Sequence, residues 1–408
     1  MNNTTFYLKS DRLSLLHPDW SRETFEVGAE EVTFLQNCAE QYQHALENRT
    51  DNQQDLLNIG TELGQWLNRQ GWLERLLDEV DTPWEVVFQV PRRPKEAETA
   101  FLNAPWELLA WEGSHLAIDI DVRFNPVRQI GEAKKSLAPS PYRLNLMFMA
   151  AAPDKVTTLS YESEELAILD ATQDRDLDLT VEETGTLEEL AAEVARYQPD
   201  VVHISCHGGF DAQGHPVLLL ENEEGGKAEM NAAHWLGLPS LVNIEQGIKL
   251  AFISACHAAN PSPQVADSLA TQLIKGGLPA VLGWGNTVSD VEATQFAQYF
   301  YQFVAQQQSL TQAVGAARWQ LFSQSEPKSR DWHLARLFIG RYQMGALTNG
   351  DKVRRLLDAE FGAKAFLDKQ KQVPVAGRAE FVGRRRALQA IIRECRRPHH
   401  AGVLIHGM

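Results

Sequence analysis

Residues 200–210, DVVHISCHGGF, set the apolar run Val201-Val202-His203-Ile204 in front of Ser205, Cys206, His207 and two glycines. A short run that is apolar at consecutive positions, without alternation, predicts a strand buried on both faces, as in a parallel sheet covered by helices. The same pattern recurs on either side of it. LNLMFMAA (144–151), LDLTVEE (177–183), KLAFISA (249–255), PAVLGW (279–284) and LARLFIG (334–340) all read as strands. Between them lie helical segments: YESEELAILDATQ, TLEELAAEVARYQ, VADSLATQLIKGG, VEATQFAQYFYQFVAQQQ and TQAVGAARWQLF. Thr186 with Glu189, and Ser289 with Glu292, stand at capping-box spacing before two of these helices. PVLLLENEEGGKAEM (216–230) predicts a hairpin turning on Gly225-Gly226. Strands alternating with amphipathic helices predict an α/β fold with a mainly parallel sheet. In such sheets ligands bind beyond the carboxyl ends of the strands, so the residues after Ser205 and Ala255 are the place to look.

The N-terminal third is different. Residues from about 30 to 80 carry a helical period, WEVVFQV (84–90) reads as a strand, and a helical turn plus a hairpin near Gly113-Ser114 follow. AKKSLAPSPYR (133–143) is polar and proline-bearing and reads as a linker.

Composition narrows the function classes. The chain has 408 residues and a net charge of −16, which disfavours general nucleic-acid binding, because phosphates call for a basic face. Its apolar runs are too short for a membrane helix, and the N-terminus lacks the pattern of a secretory leader. Four cysteines (38, 206, 256, 395) without regular spacing argue against a disulfide framework and for a reducing, cytoplasmic setting.

Two strands end in chemically suggestive residues. DVVHIS runs into Cys206-His207-Gly208-Gly209, and KLAFISA into Cys256-His257. If the strands are neighbours, Cys256 is the candidate nucleophile, since a thiolate attacks a carbonyl far better than a neutral hydroxyl does. His207 is the candidate general base and acid, and the backbone N–H groups of Gly208 and Cys256 are the candidate oxyanion hole. His203, deeper in its strand, reads as a buried, hydrogen-bonded histidine, and Cys206 as a bystander. Two other readings stand beside this one. One is a structural cysteine packed as a small hydrophobe. The other is a zinc site built from His203, Cys206, His207 and His215, although no C-x-x-C pair accompanies them.

Across residues 80–342 the segments APWELLAWEGSHLAID, LNLMFMAAAPD, TLEELAAEVARYQPDVVHISCHGGF, LAFISACHAAN, SLATQLIKGGLPAVLGWGNTVSDVEATQFAQYFYQFV and SLTQAVGAARWQLF resemble, in this order, a CHAT domain. That family is related to caspases and separases. The resemblance implies a caspase-like three-layer α/β sandwich with a mainly parallel sheet, preceded by a helical and β N-terminal subdomain. It implies a Cys–His dyad at His207 and Cys256, no metal, and a protein or peptide substrate, with a catalytically silent CHAT-like interaction scaffold as the alternative. His257-Ala258-Ala259-Asn260 depart from the small residue and glycine that often follow the family's cysteine. The loops after the strands nominate Asp154, Asp211, Trp284, Asn286 and Asp290 for substrate contact. By analogy with separase and metacaspase relatives, the acids suit a basic residue before the cut.

The domain reading is 1–143 for the N-terminal portion, 144–345 for the peptidase core, 346–377 for a helical linker, and 378–408 for a separate basic module. Residues 377–408 hold seven arginines against two glutamates. EFVGRRRALQAIIRECRRPHHAGVLIHGM resembles the entry to a signalling NTPase of the NB-ARC or AAA+ type, with Gly407 as the first glycine of a phosphate loop whose lysine does not follow. On this reading the chain is a piece of a longer bacterial signalling or defence protease, without a cofactor of its own. ATP and Mg2+ belong to the NTPase, which gates the peptidase by self-assembly.

Overall fold

The computed structural model describes residues 4–352, apart from 18, 21, 48–52, 80–81, 155, 157–158, 160, 173–176, 243–247, 257 and 259–266. It also describes 385–404, apart from 398, 400 and 401. The N-terminal part contains β1 (Thr4–Lys9), β2 (Arg12–Leu16), β3 (Glu23–Glu26), α1 (Ala29–Glu47), α2 (Gln53–Leu67), α3 (Trp72–Asp78), β4 (Glu85–Val90) and α4 (Glu96–Asn103). A 3-10 turn (Trp106–Leu108) leads to β5 (Ala110–Trp111), β6 (Ser114–His115), β7 (Asn125–Ile130), β8 (Lys135–Ser136) and β9 (Ser140–Tyr142). The central part runs β10 (Leu144–Ala150), α5 (Tyr161–Thr172), β11 (Leu177–Glu182), α6 (Leu187–Tyr197), β12 (Val201–Ser205), β13 (His207–Phe210), β14 (Pro216–Glu221) and β15 (Lys227–Met230). Then follow α7 (Ala232–Leu236), β16 (Leu250–Ser254), α8 (Leu269–Gly276), β17 (Ala280–Trp284), α9 (Asp290–Ala305), α10 (Leu310–Gln324), β18 (Ala335–Ile339), β19 (Tyr342–Gln343), β20 (Thr348–Lys352) and α11 (Arg385–Arg396).

Among the described residues the main sheet has eleven strands in the order β11-β10-β12-β16-β17-β18-β7-β4-β1-β2-β3. β11, β10, β12, β16 and β17 are mutually parallel, so their carboxyl ends share one rim. β18 then runs antiparallel to β17 and begins the second half, where β18, β7, β4 and β1 are parallel to one another. The sheet thus passes unbroken across position 144, and the N-terminal strands extend the central ones. Helices pack in two groups, α5 with α9 and α10, and α6 and α8 with α7 and its neighbouring turn, giving an α/β sandwich around a mainly parallel sheet.

Local chemistry explains the element boundaries. Ser289 Oγ accepts the Glu292 N–H at 3.2 Å and opens α9, and Ser268 Oγ accepts the Thr271 N–H at 3.1 Å and opens α8. Thr186 does the same for α6. Between β16 and α9 the core is aromatic: Phe252 meets Phe296, Phe300 and Trp284 at ring-centroid distances of 6.1, 5.7 and 6.1 Å.

Two expectations change. Residues 133–143 are not a plain linker, because Lys135–Ser136 pairs with β19 and Ser140–Tyr142 with β20. Their polar, proline-bearing sequence hides this, since such strands pair along one edge only and carry no alternating pattern. The expected helical linker begins instead as strand β20, and 353–377 lies outside the described residues. The C-terminal helix is present as α11. Gly407 and the end of the expected strand lie outside the described residues.

Candidate active site

β12 and β16 are adjacent and parallel, with His203 opposite Phe252 and Ser205 opposite Ser254. The ladder to β10 ends as Ala151 N donates to Ser205 O at 2.9 Å, and Cys206 N makes one last bond to Ser254 O at 3.3 Å. The chain then leaves the main sheet, and His207 begins β13 in a separate antiparallel sheet with β14 and β15. The chain therefore breaks from the main sheet at Cys206, before His207.

That break brings the two motifs together. A Cβ placed on Gly208 would sit 1.9 Å from the Cys256 carbonyl oxygen and 3.3 Å from its nitrogen. Only a residue without a side chain can lie this close to another backbone. Gly208 is thus packed on Cys256, with His207 as its chain neighbour. Cys256 and His207 are both half-buried, while Cys206 is 2% exposed. Burial drives the Cys206 thiol far above its ordinary range, and the neighbouring Cys256 and Glu164 add to the effect. At neutral pH Cys206 is a packed thiol rather than a nucleophile.

Beneath the two strand ends lies a buried carboxylate that sequence reading missed. Glu164, on α5, accepts from Ser205 Oγ at 2.7 Å and from Ser254 Oγ at 3.1 Å. His203 Nε2 is 3.2 Å from Glu164 Oε1, near enough for an ion pair but off the line of a good hydrogen bond. His203 Nδ1 meets Tyr301 Oη at 3.0 Å, which accounts for this histidine as a core residue. Burial opposes the charge on Glu164, yet the His203 imidazole and the two serine hydroxyls outweigh it and hold the carboxyl below its usual range. The serines it binds precede Cys206-His207 and Ala255-Cys256, so one carboxylate ties both motif-bearing strand ends together.

The nominated substrate residues scatter. Trp284 is 1% exposed and donates from Nε1 to Ser254 Oγ at 3.3 Å, so it packs beneath the strand ends instead of lining a groove. Asn286 donates to Gln43 Oε1 at 3.1 Å, facing α1. Asp211 closes the β13–β14 turn, accepting from Gln213 N at 2.9 Å and His215 N at 2.8 Å. Asp290 is the first residue of α9, where an acid suits the helix dipole. Asp154, after β10, stays on the rim and its N donates to Gly225 O at 3.0 Å.

Two histidines of the zinc reading have other contacts. His203 is engaged with Tyr301, and His215 lies at the exposed hairpin tip, its Nδ1 3.1 Å from Asp211. Among the described residues no group of three or more His, Cys, Asp or Glu is placed to hold a metal ion. No described helix is long and apolar enough to cross a membrane.

The fold and rim define a class: a mainly parallel α/β sandwich presenting a histidine–glycine and a serine–alanine–cysteine motif on neighbouring strand ends. The CHAT domain profile matches residues 62–354, well over half of the chain, and the chain belongs to the CHAT domain family. Among curated protein sequences none matches significantly. Solved structures with a similar arrangement include one titled "Structure of Protease", at 10% identity and TM-score 0.44, covering 70% of this chain and 69% of that one. The Arg-specific cysteine proteinase gingipain R is similar at 10% identity and TM-score 0.42, with 73% and 69% covered. The Saccharomyces cerevisiae separase–securin complex is similar at 10% identity and TM-score 0.37, with 76% of this chain and 22% of that chain covered.

Proposed function

We propose that this protein is a cysteine endopeptidase in which His207 and Cys256 form the catalytic dyad. The observation that carries the reading is the packing of Gly208 on the Cys256 carbonyl, which makes the histidine and cysteine motifs neighbours at the strand-end rim. His207 takes the proton from the Cys256 thiol, and the thiolate attacks the scissile carbonyl carbon. The tetrahedral oxyanion is held by the N–H groups of Gly208 and Cys256. It collapses to a thioester as the amine leaves with the proton from His207. Water, deprotonated by His207, then hydrolyses the thioester and regenerates the thiol. The dyad needs no metal or organic cofactor.

The wider setting follows the family resemblance: a cytoplasmic bacterial signalling or defence protease acting on a protein substrate. By the same resemblance, ATP and Mg2+ would be bound by an NTPase of the type whose entry residues 378–408 resemble, and that domain would gate the peptidase by self-assembly.

The test is cleavage of a peptide library by wild type, Cys256→Ala and Cys206→Ala. Turnover abolished in Cys256→Ala and retained in Cys206→Ala is expected. Loss in Cys206→Ala alone overturns the dyad, and an active Cys256→Ala removes the peptidase mechanism altogether.

A further inference from the structure

Glu221 ends β14 with its side chain fully buried, and nothing in the candidate dyad uses it. Its Oε1 accepts the Ala152 N–H at 2.9 Å and the Gln389 side-chain amide at 3.0 Å, and its Oε2 accepts Nη2 of Arg393. Nη1 of the same guanidinium lies 3.7 Å from Asp154 Oδ1. Gln389 and Arg393 both come from α11, so the C-terminal helix is anchored here by an arginine.

Two glycines shape the pocket. A Cβ on Gly185 would come within 2.9 Å of Glu221 Oε1, and one on Gly225 within 2.3 Å of the Arg393 guanidinium carbon. Both have positive φ, +75° and +82°, which a side chain would resist. The walls are residues 152–154 after β10, Gly185 after β11 and the β14–β15 turn, at the rim that carries His207 and Cys256. Leu219 is the register partner of His207, and Glu221 lies two residues further along β14, roughly 7 Å of strand.

We propose that Glu221 and Asp154 form a guanidinium subsite that takes an arginine side chain of the peptide substrate, and that Arg393 occupies it in cis. α11 and substrate then compete for one pocket. The substrate half rests on the peptidase reading, whereas the pocket rests on the observed ion pair alone. A buried carboxylate pre-set by a backbone N–H strongly disfavours standing uncompensated. Release of α11 is therefore an exchange, in which an incoming guanidinium replaces Arg393. The planar fork of arginine suits the site better than the point charge of lysine.

The test uses the full chain and a fluorescein-labelled peptide of residues 385–397, with a matched peptide carrying norleucine at position 393. By anisotropy, the arginine peptide binds Arg393→Ala at least tenfold tighter than wild type. Binding falls at least tenfold with the norleucine peptide or when Glu221→Gln is added. Glutamine still accepts from Ala152 N, and a thermal melt checks that this variant folds. Asp154→Asn, at an exposed side chain, weakens binding a few-fold as an independent check. Equal binding to wild type and Arg393→Ala, equal binding of the norleucine peptide, or binding that survives Glu221→Gln overturns the pocket.

In the cleavage arm, Arg393→Ala raises turnover of arginine-bearing peptides at least fivefold and leaves norleucine analogues unchanged. Cleavage indifferent to arginine in both proteins overturns the substrate half while the peptidase stands. Cleavage by neither protein, with the binding pattern intact, upholds the pocket as the seat of α11 and overturns its substrate role in this chain.

Discussion

Glu107 and Glu164 are both buried carboxylates in the same sheet-and-helix sandwich, yet they hold different things. Glu107, in the 3-10 turn, is clamped by the Arg128 guanidinium of β7, whose Nη2 donates to Oε2 at 2.8 Å while Nη1 bonds Oε1. Arg128 also donates to the carbonyls of Leu102 at 2.9 Å and Ala104 at 2.8 Å, and Arg336 Nε stands 3.9 Å from Glu107. Arg318 is buried in the same cluster, and burial pulls its guanidinium down to about 10. Glu107 is thus a counterion for several buried cations. Glu164 is met instead by two hydroxyls and an imidazole, all on strands that lead into the candidate dyad. The first cluster staples the second half of the sheet; the second fixes the relative height of two strand ends.

The comparison breaks first at Glu107. Glu107→Gln leaves Arg128, Arg318 and Arg336 in the core without their carboxylate, and losing one partner of a buried pair costs about 3–5 kcal/mol. Denaturant unfolding should show that loss, or the variant should fail to accumulate as soluble protein. A cost under about 1 kcal/mol would mean that the arginines are not held by Glu107.

The same cluster makes stability depend on pH through His333. Its Nδ1 meets Tyr42 Oη at 2.8 Å. Burial, with His115, Arg336 and Arg318 nearby, pulls the imidazole down to about 3, although Glu107 works the other way. Below about pH 6.5 the unfolded chain binds a proton that the folded ring refuses, so stability is present above that pH and is lost as pH falls towards 3. The slope approaches about 1.4 kcal/mol per pH unit for one proton. Unfolding at pH 7, 6 and 5 should therefore show a shallower decline in His333→Gln than in wild type. Identical slopes would place the acid sensitivity elsewhere.

Glu164→Gln should cost less, about 1–3 kcal/mol, because a neutral amide still offers Ser205 and Ser254 one acceptor. Its signature is at the rim: iodoacetamide labelling of Cys256 and peptide turnover should both fall several-fold more than the stability change accounts for. Glu107→Gln, examined where it remains folded, should leave labelling unchanged. Parallel effects of the two variants would erase the distinction between staple and strand-end tie.

How much of this was legible in the sequence depends on range. Strands such as LNLMFMAA and VVHIS announce themselves by continuous apolar character, and Ser289 and Thr186 mark their helices by bonds three residues away. The two motifs were legible because glycine and cysteine follow the strands directly. The buried acids were not. Glu164 sits in YESEELAILD, where an acid reads as the solvated face of a helix, and its partners lie 41 and 90 residues on. Glu221 looks like the polar end of a hairpin strand until Arg393, 172 residues away, is placed against it. Trp284 misled in the opposite direction, since a tryptophan at a strand end fits a groove as well as a core. Its burial and its bond to Ser254 decide.

Ser254→Ala gives the finest test, because Ser254 belongs to both the tie and the core. Its Oγ donates to Glu164 Oε1 at 3.1 Å and accepts from Trp284 Nε1 at 3.3 Å. Removing it leaves the buried indole N–H without that acceptor and Glu164 with one hydroxyl fewer, at a cost of about 1 kcal/mol. If Glu164 acts through the strand ends, adding Ser254→Ala to Glu164→Ala should slow Cys256 labelling no further than Glu164→Ala alone, since both cut the same link. Ser205→Ala should behave likewise from the β12 side. Additive slowing would mean that Ser254 reaches the cysteine by its own route through β16, and the carboxylate would then be a local stabiliser like Glu107.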